Sequence, residues 1–163
     1  MLTLLACTEP TQIAPTSSRS RTGYIVFLGD CPLIWKSQLQ TATSLSTQEA
    51  EYGALSTCMR TIIPLRSLLL EVTTALTLPH ALPASISCTV FEDNAGACIL
   101  ANNQRITNRT KYYLCGWHHF WDNVRLGHIK VVKIDTHHQR ADYLTKGLVR
   151  EVFEKIRKLA QGW

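Results

Sequence analysis

The 163-residue sequence lacks the patterns that define several special classes of protein. Its six cysteines include no Cys-x-x-Cys pair and have no zinc-ligand spacing with histidine. No apolar run approaches the roughly 20 residues that a transmembrane helix needs. The apolar start, residues 1–7, has no basic leader and is too short for a signal peptide. These absences argue against a zinc module and a membrane protein, and they favour reduced thiols in an intracellular chain over a disulfide framework.

The composition is that of an ordinary folded domain. Hydrophobic residues make up 45% of the chain and charged residues 18%, so a disordered segment is not expected. The length suits one domain with a sizeable core. A net charge of +5 suits a polyanionic partner, although many domains without such a partner are equally basic.

Hydrophobic spacing and turn residues predict a mixed α/β sheet flanked by helices. Residues 8–22 are a predicted loop, and Gly29-Asp30 is the predicted turn of a hairpin. The predicted strands lie at 24–28, 32–37, 85–93 and 129–134. The predicted helices are one that Ser46 or Thr47 can cap and that runs to about 72 with a kink or break at Pro64, a short one from 94, one at 111–125, one carrying Asp142 and Leu148, and a last one at 149–160.

Glu51 is the most informative single position. At 3.6 residues per turn, Glu51 shares one helix face with Leu55, Cys58 and Ile62, so it continues an apolar stripe toward the core. A carboxylate that points at a core is costly unless it is paired or bound to a metal. The structural alternative is a glutamate at the rim of the stripe whose carboxylate reaches water.

Asp93 and Asp142 are the other candidate metal ligands. Asp93 ends a predicted buried strand, where ligands gather in open α/β sheets, although it can also cap the next helix. Asp142 lies in the first turn of a predicted helix, and its alternative role there is to stabilise the helix dipole. If the three carboxylates converge, their oxygens suit Mg²⁺, and two such ions support phosphodiester hydrolysis.

Five blocks of the sequence resemble a known family. The blocks TGYIVFLGDCPLIWKS, SLSTQEAEYGALS, FEDNAGA, NRTKYY and QRADYLTKGL resemble, in order and spacing, the ribonuclease H region of copia-type retrotransposon polyproteins. The resemblance covers roughly residues 20–148, and STQEAEY and ADYLTKGL are its most specific parts.

The resemblance implies a ribonuclease H-like sheet in which three antiparallel strands are followed by two parallel ones, with helices on both faces. It implies a two-metal nuclease that uses two Mg²⁺ ions to cut the RNA strand of an RNA–DNA hybrid. Glu51 matches the family's catalytic glutamate on the first helix. Asp93 matches the aspartate that ends the fourth strand, and Asp142 the aspartate that opens the last helix.

The sequence departs from the family at its first strand, which there ends in Asp-Ala-Asp and supplies a metal ligand. Here no Asp precedes Asp30, which lies in the predicted hairpin turn. We therefore expect the first strand and first catalytic Asp to be missing, two strand edges to lie open, and the nuclease to be impaired. The alternative is that residues 2–7 replace the strand and bring Glu9 near the site. The predicted organisation is residues 1–19 as a loop or replacement strand, 20–148 as the ribonuclease H-like domain, and 149–163 as an amphipathic C-terminal helix.

The remaining expectations concern partners and location. Arg105, Arg109 and Lys111 are candidate phosphate contacts, with a solvated loop as the alternative. His137 and His138 precede Asp142, where a loop histidine helps product leave in some ribonucleases H; two solvated histidines are the alternative. The expected partners are an RNA–DNA hybrid and the reverse transcriptase part of a parent polyprotein, without a membrane, in the cytoplasm, a virus-like particle or the nucleus.

Two other functions stay open at this stage. A chain that retains the fold without the full set of carboxylates can be a non-catalytic nucleic-acid-binding remnant. It can also be a truncated transposon-derived reading frame without activity. The nuclease differs from both in Mg²⁺-dependent cleavage of an RNA–DNA hybrid, and the remnant differs from the inactive frame in binding nucleic acid.

Overall fold

A computed structural model describes residues 2–7, 18–77, 86–104, 106, 111 and 115–162, with the backbone alone described at 2–7 and 115. The strands are β1 (Leu2–Cys7), β2 (Arg21–Leu28), β3 (Cys31–Leu39), β4 (Cys88–Glu92) and β5 (Ile129–Lys133). The helices are α1 (Thr47–Ala75), α2 (Ala95–Asn103), α3 (Trp121–Arg125) and α4 (Arg150–Gln161), with 3-10 turns at Cys115–Trp117, Thr136–His138 and Asp142–Leu144. Within these residues, no helix combines the length and apolar character that crossing a bilayer requires.

The five strands form one mixed sheet in the order β3-β2-β1-β4-β5. Strand β2 is antiparallel to both β1 and β3, whereas β4 is parallel to both β1 and β5. Three antiparallel strands followed by two parallel ones are what the ribonuclease H resemblance implies, so the predicted fold class is confirmed.

The expectation that the first strand is missing is wrong. The central strand is Leu2–Cys7, in which Leu5 pairs with Ile25 on one side and with Phe91 on the other. Residues 2–7 thus replace the strand. The sheet is continuous, and its two edges are β3 and β5, so the two internal edges that a missing strand would leave open are absent from it. Antiparallel neighbours need only a short connection, so the short link before β2 is no obstacle. Glu9 lies outside the described residues.

Alternating side chains of β2 face two separate apolar layers, as the twofold repeat of a strand requires. Tyr24 and Val26 belong to the larger layer, which packs under α1 and α2. Ile25 and Phe27 belong to the smaller layer, which packs with Ala160 of α4. The predicted hairpin is confirmed, with its turn at Gly29 and Asp30.

The long helix α1 begins where the sequence predicts and continues further. The Ser46 hydroxyl accepts a hydrogen bond from the Glu49 backbone N–H at 3.1 Å, and the Glu49 carboxylate accepts one from the Leu45 N–H at 2.8 Å. The helix does not break at Pro64, which is exposed and lies within its 29 residues. The buried face of Leu55, Met59 and Ile62 anchors it, each side chain contributing about 1.5 to 3 kcal/mol.

Two predicted helices are shorter in the structure. Residues 111–125 do not form one helix, because the described part divides into the Cys115–Trp117 turn and α3, with a turn at His119 and Phe120 between them. The aromatic residues still pack as predicted, since Phe120 is fully buried and Trp117 and Trp121 lie against the larger layer. Asp142 opens a single 3-10 turn rather than a helix through residue 148.

Candidate metal centre

Glu51 points into the protein, as its position on the apolar stripe predicts. Its exposed fraction is 2%, against 0% for Leu55, Cys58 and Ile62 on the same face of α1. The Ser46 cap fixes where the helix starts, and that start fixes which residues of its first turns face the sheet. The alternative in which the carboxylate reaches water is therefore wrong.

The carboxyl end of β4 supplies two further carboxylates. Cys88, Val90 and Glu92 alternate along the strand and are all buried, with Glu92 only 1% exposed. The backbone N–H of Asn94 donates to Glu92 Oε1 at 3.1 Å. Asp93, the next residue, is half-buried, and its Oδ2 accepts a 3.0 Å hydrogen bond from the Thr136 hydroxyl. Both carboxylates are thus oriented by neighbouring groups.

Glu51, Glu92 and Asp93 form what we call the carboxylate cluster. Each offers an oxygen, and these oxygens all lie within 4.8 Å of one another. Carboxylate oxygens at this spacing are the ligands that Mg²⁺ prefers. Burial raises the pKa of Glu92 well above its ordinary value, the Asn94 N–H opposes that rise, and the charge of Asp93 adds to it. Such a group needs either a proton or a cation to be stable in the interior.

Two buried thiols beside the cluster are not suited to nucleophilic chemistry. Burial, and to a smaller extent the charge of Glu92, raises the pKa of Cys98 to about 12. The same two causes hold the pKa of Cys58 well above its usual range. Because the thiolate is the reactive form, both side chains act as packing groups of the larger apolar layer.

Asp142 does not belong to the carboxylate cluster. It is 5% exposed and forms an ion pair of 2.6 Å with Lys146, four residues later. Gly23 of β2 lies so close to this segment that a Cβ there would stand 2.4 Å from Thr145 Cγ2. Of the three predicted ligands, the structure brings Glu51 and Asp93 together and places Asp142 in a separate buried ion pair.

Glu92 is the site residue that the sequence analysis missed. The signal for it was present, because Cys88, Val90 and Glu92 have the twofold repeat of a half-buried strand. Because alternate residues of a strand face the same side, Glu92 points inward with Cys88 and Val90, just as Glu51 does on its helix. The match of the FEDNAGA block to the family indicates Asp93 instead.

The predicted nucleic-acid contacts are only partly within the described residues. Arg105 and Arg109 lie outside them, and Lys111 is exposed. His137 and His138 are exposed, in the 3-10 turn after β5.

A polar groove of about 330 Å³ runs along the side of α1 away from Glu51. Its lining includes Arg60, Trp117 and a series of hydroxyl and amide side chains. The Ser56 hydroxyl, buried in this lining, has no hydrogen-bond partner in the described part of the chain. The groove therefore offers a cation, an aromatic face and unused hydrogen-bonding capacity.

Comparisons with known proteins agree with the sequence motifs. The chain is 35% and 36% identical, over 137 residues each, to the retrovirus-related Pol polyproteins from transposons RE1 and RE2 of Arabidopsis thaliana. It is 32% identical over 141 residues to that from transposon TNT 1-94 of Nicotiana tabacum. These matches cover 84% to 86% of the chain but only 9% to 10% of the relatives, so the chain spans about a tenth of their length.

Among solved structures, the chain is similar to RNase H1 from the halophilic archaeon Halobacterium salinarum NRC-1. The TM-score is 0.49 at 12% identity, covering 94% of this chain and 98% of the other. No model of a protein family matches the sequence. By these matches, the chain is a homologue of one segment of the retrovirus-related Pol polyproteins of copia-type transposons.

Proposed function

We propose that the chain is a metal-dependent ribonuclease H-like domain that hydrolyses the RNA strand of an RNA–DNA hybrid. The observation that carries this proposal is the carboxylate cluster, which lies where β4 ends and α1 begins. Ligand sites of open α/β sheets lie at the carboxyl ends of their strands. The homologous polyproteins and the order of the strands support the same assignment.

The donor set of the cluster fits Mg²⁺. Three carboxylate oxygens within 4.8 Å of one another match a small, hard cation that keeps part of its water shell and also binds substrate phosphate. When bound, such ions supply an activated water and stabilise the leaving oxygen of a phosphodiester. Two ions are the number that the family resemblance implies.

The residues of the chain have distinct roles in this proposal. Glu51 and Asp93 are metal ligands, and the Thr136 hydroxyl holds the Asp93 carboxylate in one orientation. Strand β1 contains no acidic residue between Leu2 and Cys7. Glu92 stands on the neighbouring strand β4, and we assign it the carboxylate role that the first strand fills elsewhere in the family.

Asp142 remains a proposed ligand that must leave Lys146 before it can contribute. A buried ion pair of 2.6 Å opposes that exchange, because breaking a charge pair in a poorly hydrated place is costly. Together with the absence of a carboxylate from β1, this ion pair predicts a nuclease slower than one with four free ligands.

Nucleic-acid contact is assigned to basic and hydroxyl-bearing surface groups. The polar groove offers Arg60 to a phosphate and Trp117 to a sugar or base. Arg105, Arg109 and Lys111 are proposed contacts of the same kind. The reverse transcriptase part of a parent polyprotein is the proposed partner, because it produces the hybrid. The proposed location is the cytoplasm, including a virus-like particle, or the nucleus.

The second candidate is a non-catalytic nucleic-acid-binding remnant. The Asp142–Lys146 ion pair and the strand β1 without a carboxylate are the observations that favour it. The two candidates predict the same binding to a hybrid but opposite results when Mg²⁺ is added.

The test is Mg²⁺-dependent cleavage of a labelled RNA–DNA hybrid by the purified chain. The nuclease proposal predicts cleavage that Asp93→Asn abolishes, while Asp122→Asn, an exposed carboxylate of α3, leaves the rate unchanged. Hybrid binding measured by fluorescence anisotropy is expected in all three proteins. Binding without cleavage by the folded wild-type chain would contradict the nuclease and establish the remnant.

A further inference from the structure

A second cavity, which we call the α4 cavity, lies outside the proposed nuclease site. Its volume is about 710 Å³, within the size range of small-molecule sites. Its apolar lining comes from β2, β4, the segment after β5 and helix α4, and consists of Phe27, Phe91, Ile134 and Leu159. Leu159 remains 54% exposed at the edge of this lining, so the cavity has an apolar wall open to a ligand.

Cationic side chains border this apolar wall. The guanidinium carbon of Arg140 stands 5.6 Å from the centroid of the Phe27 ring, and Arg140 is half-buried. No ion pair between Arg140 and a carboxylate occurs within the described residues. Lys155 of α4 also lines the cavity, and Asp30 is the one acidic side chain in the described lining. A half-buried guanidinium without a carboxylate partner is a binding group for an anion.

The α4 cavity and the carboxylate cluster are distinct sites. Phe91 packs in the layer under α4, whereas the next residue, Glu92, belongs to the cluster on the other side of the sheet. Thr136 contacts Asp93, whereas His137 and His138 line the cavity. None of the three carboxylate residues lines the described part of the cavity, although Phe91, the chain neighbour of Glu92, does.

We propose that the α4 cavity binds an organic anion with a flat apolar body. The half-buried Phe91 ring favours a planar partner, since aromatic groups pack edge to face or offset on one another, whereas the Phe27 ring is only 2% exposed and lies beneath Arg140. Arg140 and Lys155 then hold the anionic group, and the histidine N–H groups add donors. A nucleoside monophosphate and an aromatic carboxylate share this chemistry.

The test uses 1-anilinonaphthalene-8-sulfonate, whose fluorescence rises when its rings leave water. We expect one saturable site on the wild-type chain. Arg140→Gln and Lys155→Gln should each weaken binding about tenfold, because each removes a charge-assisted contact. Lys158→Gln, a matched loss of charge on the same helix, and Asp93→Asn, in the carboxylate cluster, should leave it unchanged. Asp30→Asn should strengthen it.

Urea denaturation of each variant establishes that it is folded before the dye is compared. Displacement then identifies the source of the ligand, with adenosine 5′-monophosphate in one arm and 2-naphthoate in the other. Displacement by either compound supports the proposal. Dye binding that does not saturate, that Arg140→Gln leaves unchanged, or that neither compound displaces would overturn it. Because Asp93→Asn is expected to retain the site, failure of this proposal is distinguishable from failure of the nuclease.

Discussion

The carboxylates of Glu51 and Glu92 approach within 4.8 Å of each other, although both side chains are at least 98% buried. One lies on α1 and the other ends β4, so their approach depends on how the helix packs on the sheet. Two charged carboxylates in such a place are costly unless cations or hydrogen-bond donors compensate them. A divalent metal bound by these oxygens, as proposed above, would relieve this electrostatic cost.

Replacing Glu92 by Gln tests that cost directly. Burial raises the pKa of the Glu92 carboxyl above its ordinary value. At neutral pH the unfolded chain has this carboxyl ionised, so folding must either add a proton to it or bury its charge, and both are costly. The amide removes this cost and still accepts the Asn94 hydrogen bond. We expect Glu92→Gln to raise the free energy of unfolding in EDTA by about 1 to 3 kcal/mol.

Urea denaturation near pH 7 measures this change, with Glu71→Gln, an exposed glutamate of α1, as the matched control. Added Mg²⁺ should stabilise the wild-type chain by mass action and stabilise Glu92→Gln much less. A variant less stable than wild type in EDTA would show that Glu92 is paired within the fold and is no metal ligand.

His118 should make stability depend on pH. Its Nδ1 lies 2.8 Å from the Tyr52 hydroxyl, its ring stacks on Trp121 at 4.0 Å, and burial lowers its pKa. The unfolded chain then binds the proton more readily than the folded one, so this contribution is complete above the unfolded value near 6.5 and is lost as pH falls through the lower folded value.

The measurement is urea denaturation at about pH 7.5 and pH 5.5 for wild type and His118→Gln. We expect the wild type to lose more stability on acidification than the variant. His138→Gln, which replaces an exposed histidine in the turn after β5, is the control. An equal loss in wild type and His118→Gln would exclude His118 as the source.

Gly23 should tolerate no side chain. A Cβ at this position of β2 would stand 2.4 Å from Thr145 Cγ2 and 3.0 Å from the Leu144 Cβ, so the segment after Asp142 must move. We expect Gly23→Ala to destabilise the chain by about 1 to 3 kcal/mol, the usual cost of overpacking. Gly147→Ala is the matched control, since nothing lies within 4 Å of its added Cβ. Equal thermal midpoints for the two variants would refute this close approach.

Lys146 should stabilise the fold through Asp142. Their ion pair spans 2.6 Å with side chains 14% and 7% exposed, so removing the cation leaves a carboxylate in a poorly hydrated place. We expect Lys146→Gln to cost about 3 kcal/mol in urea denaturation. Arg150→Gln breaks a pair in which one side chain is 90% exposed, and it should cost less than about 1 kcal/mol. Similar small losses in both variants would show that the buried pair is not structural.

Local sequence patterns predicted the parts of the fold that depend on neighbours along the chain. The Ser46 cap, the inward face of Glu51 and the hairpin at Gly29 each follow from spacing of a few residues. The position of β1 could not be read this way, because its pairing with β2 and β4 is a contact between distant segments.

The candidate site likewise combines residues that local spacing predicts with contacts between distant segments that it does not. Glu51 was predictable from its own helix, and Asp93 from the resemblance and the end of its strand. The approach of Glu51 to Glu92 depends on the packing of α1 against β4, which no local pattern encodes. Asp142 and Lys146 stand four residues apart, a spacing at which a helix also brings side chains together, but the burial of their ion pair depends on packing that local spacing does not encode.

The most direct test of the account is binding of Mn²⁺, a paramagnetic substitute for Mg²⁺, followed by electron paramagnetic resonance. The carboxylate cluster predicts saturable binding to the wild-type chain, weakened about tenfold or more by Glu92→Gln and by Asp93→Asn, and unchanged by Asp122→Asn. Binding that is equal in all four proteins would place the metal elsewhere and contradict the central claim.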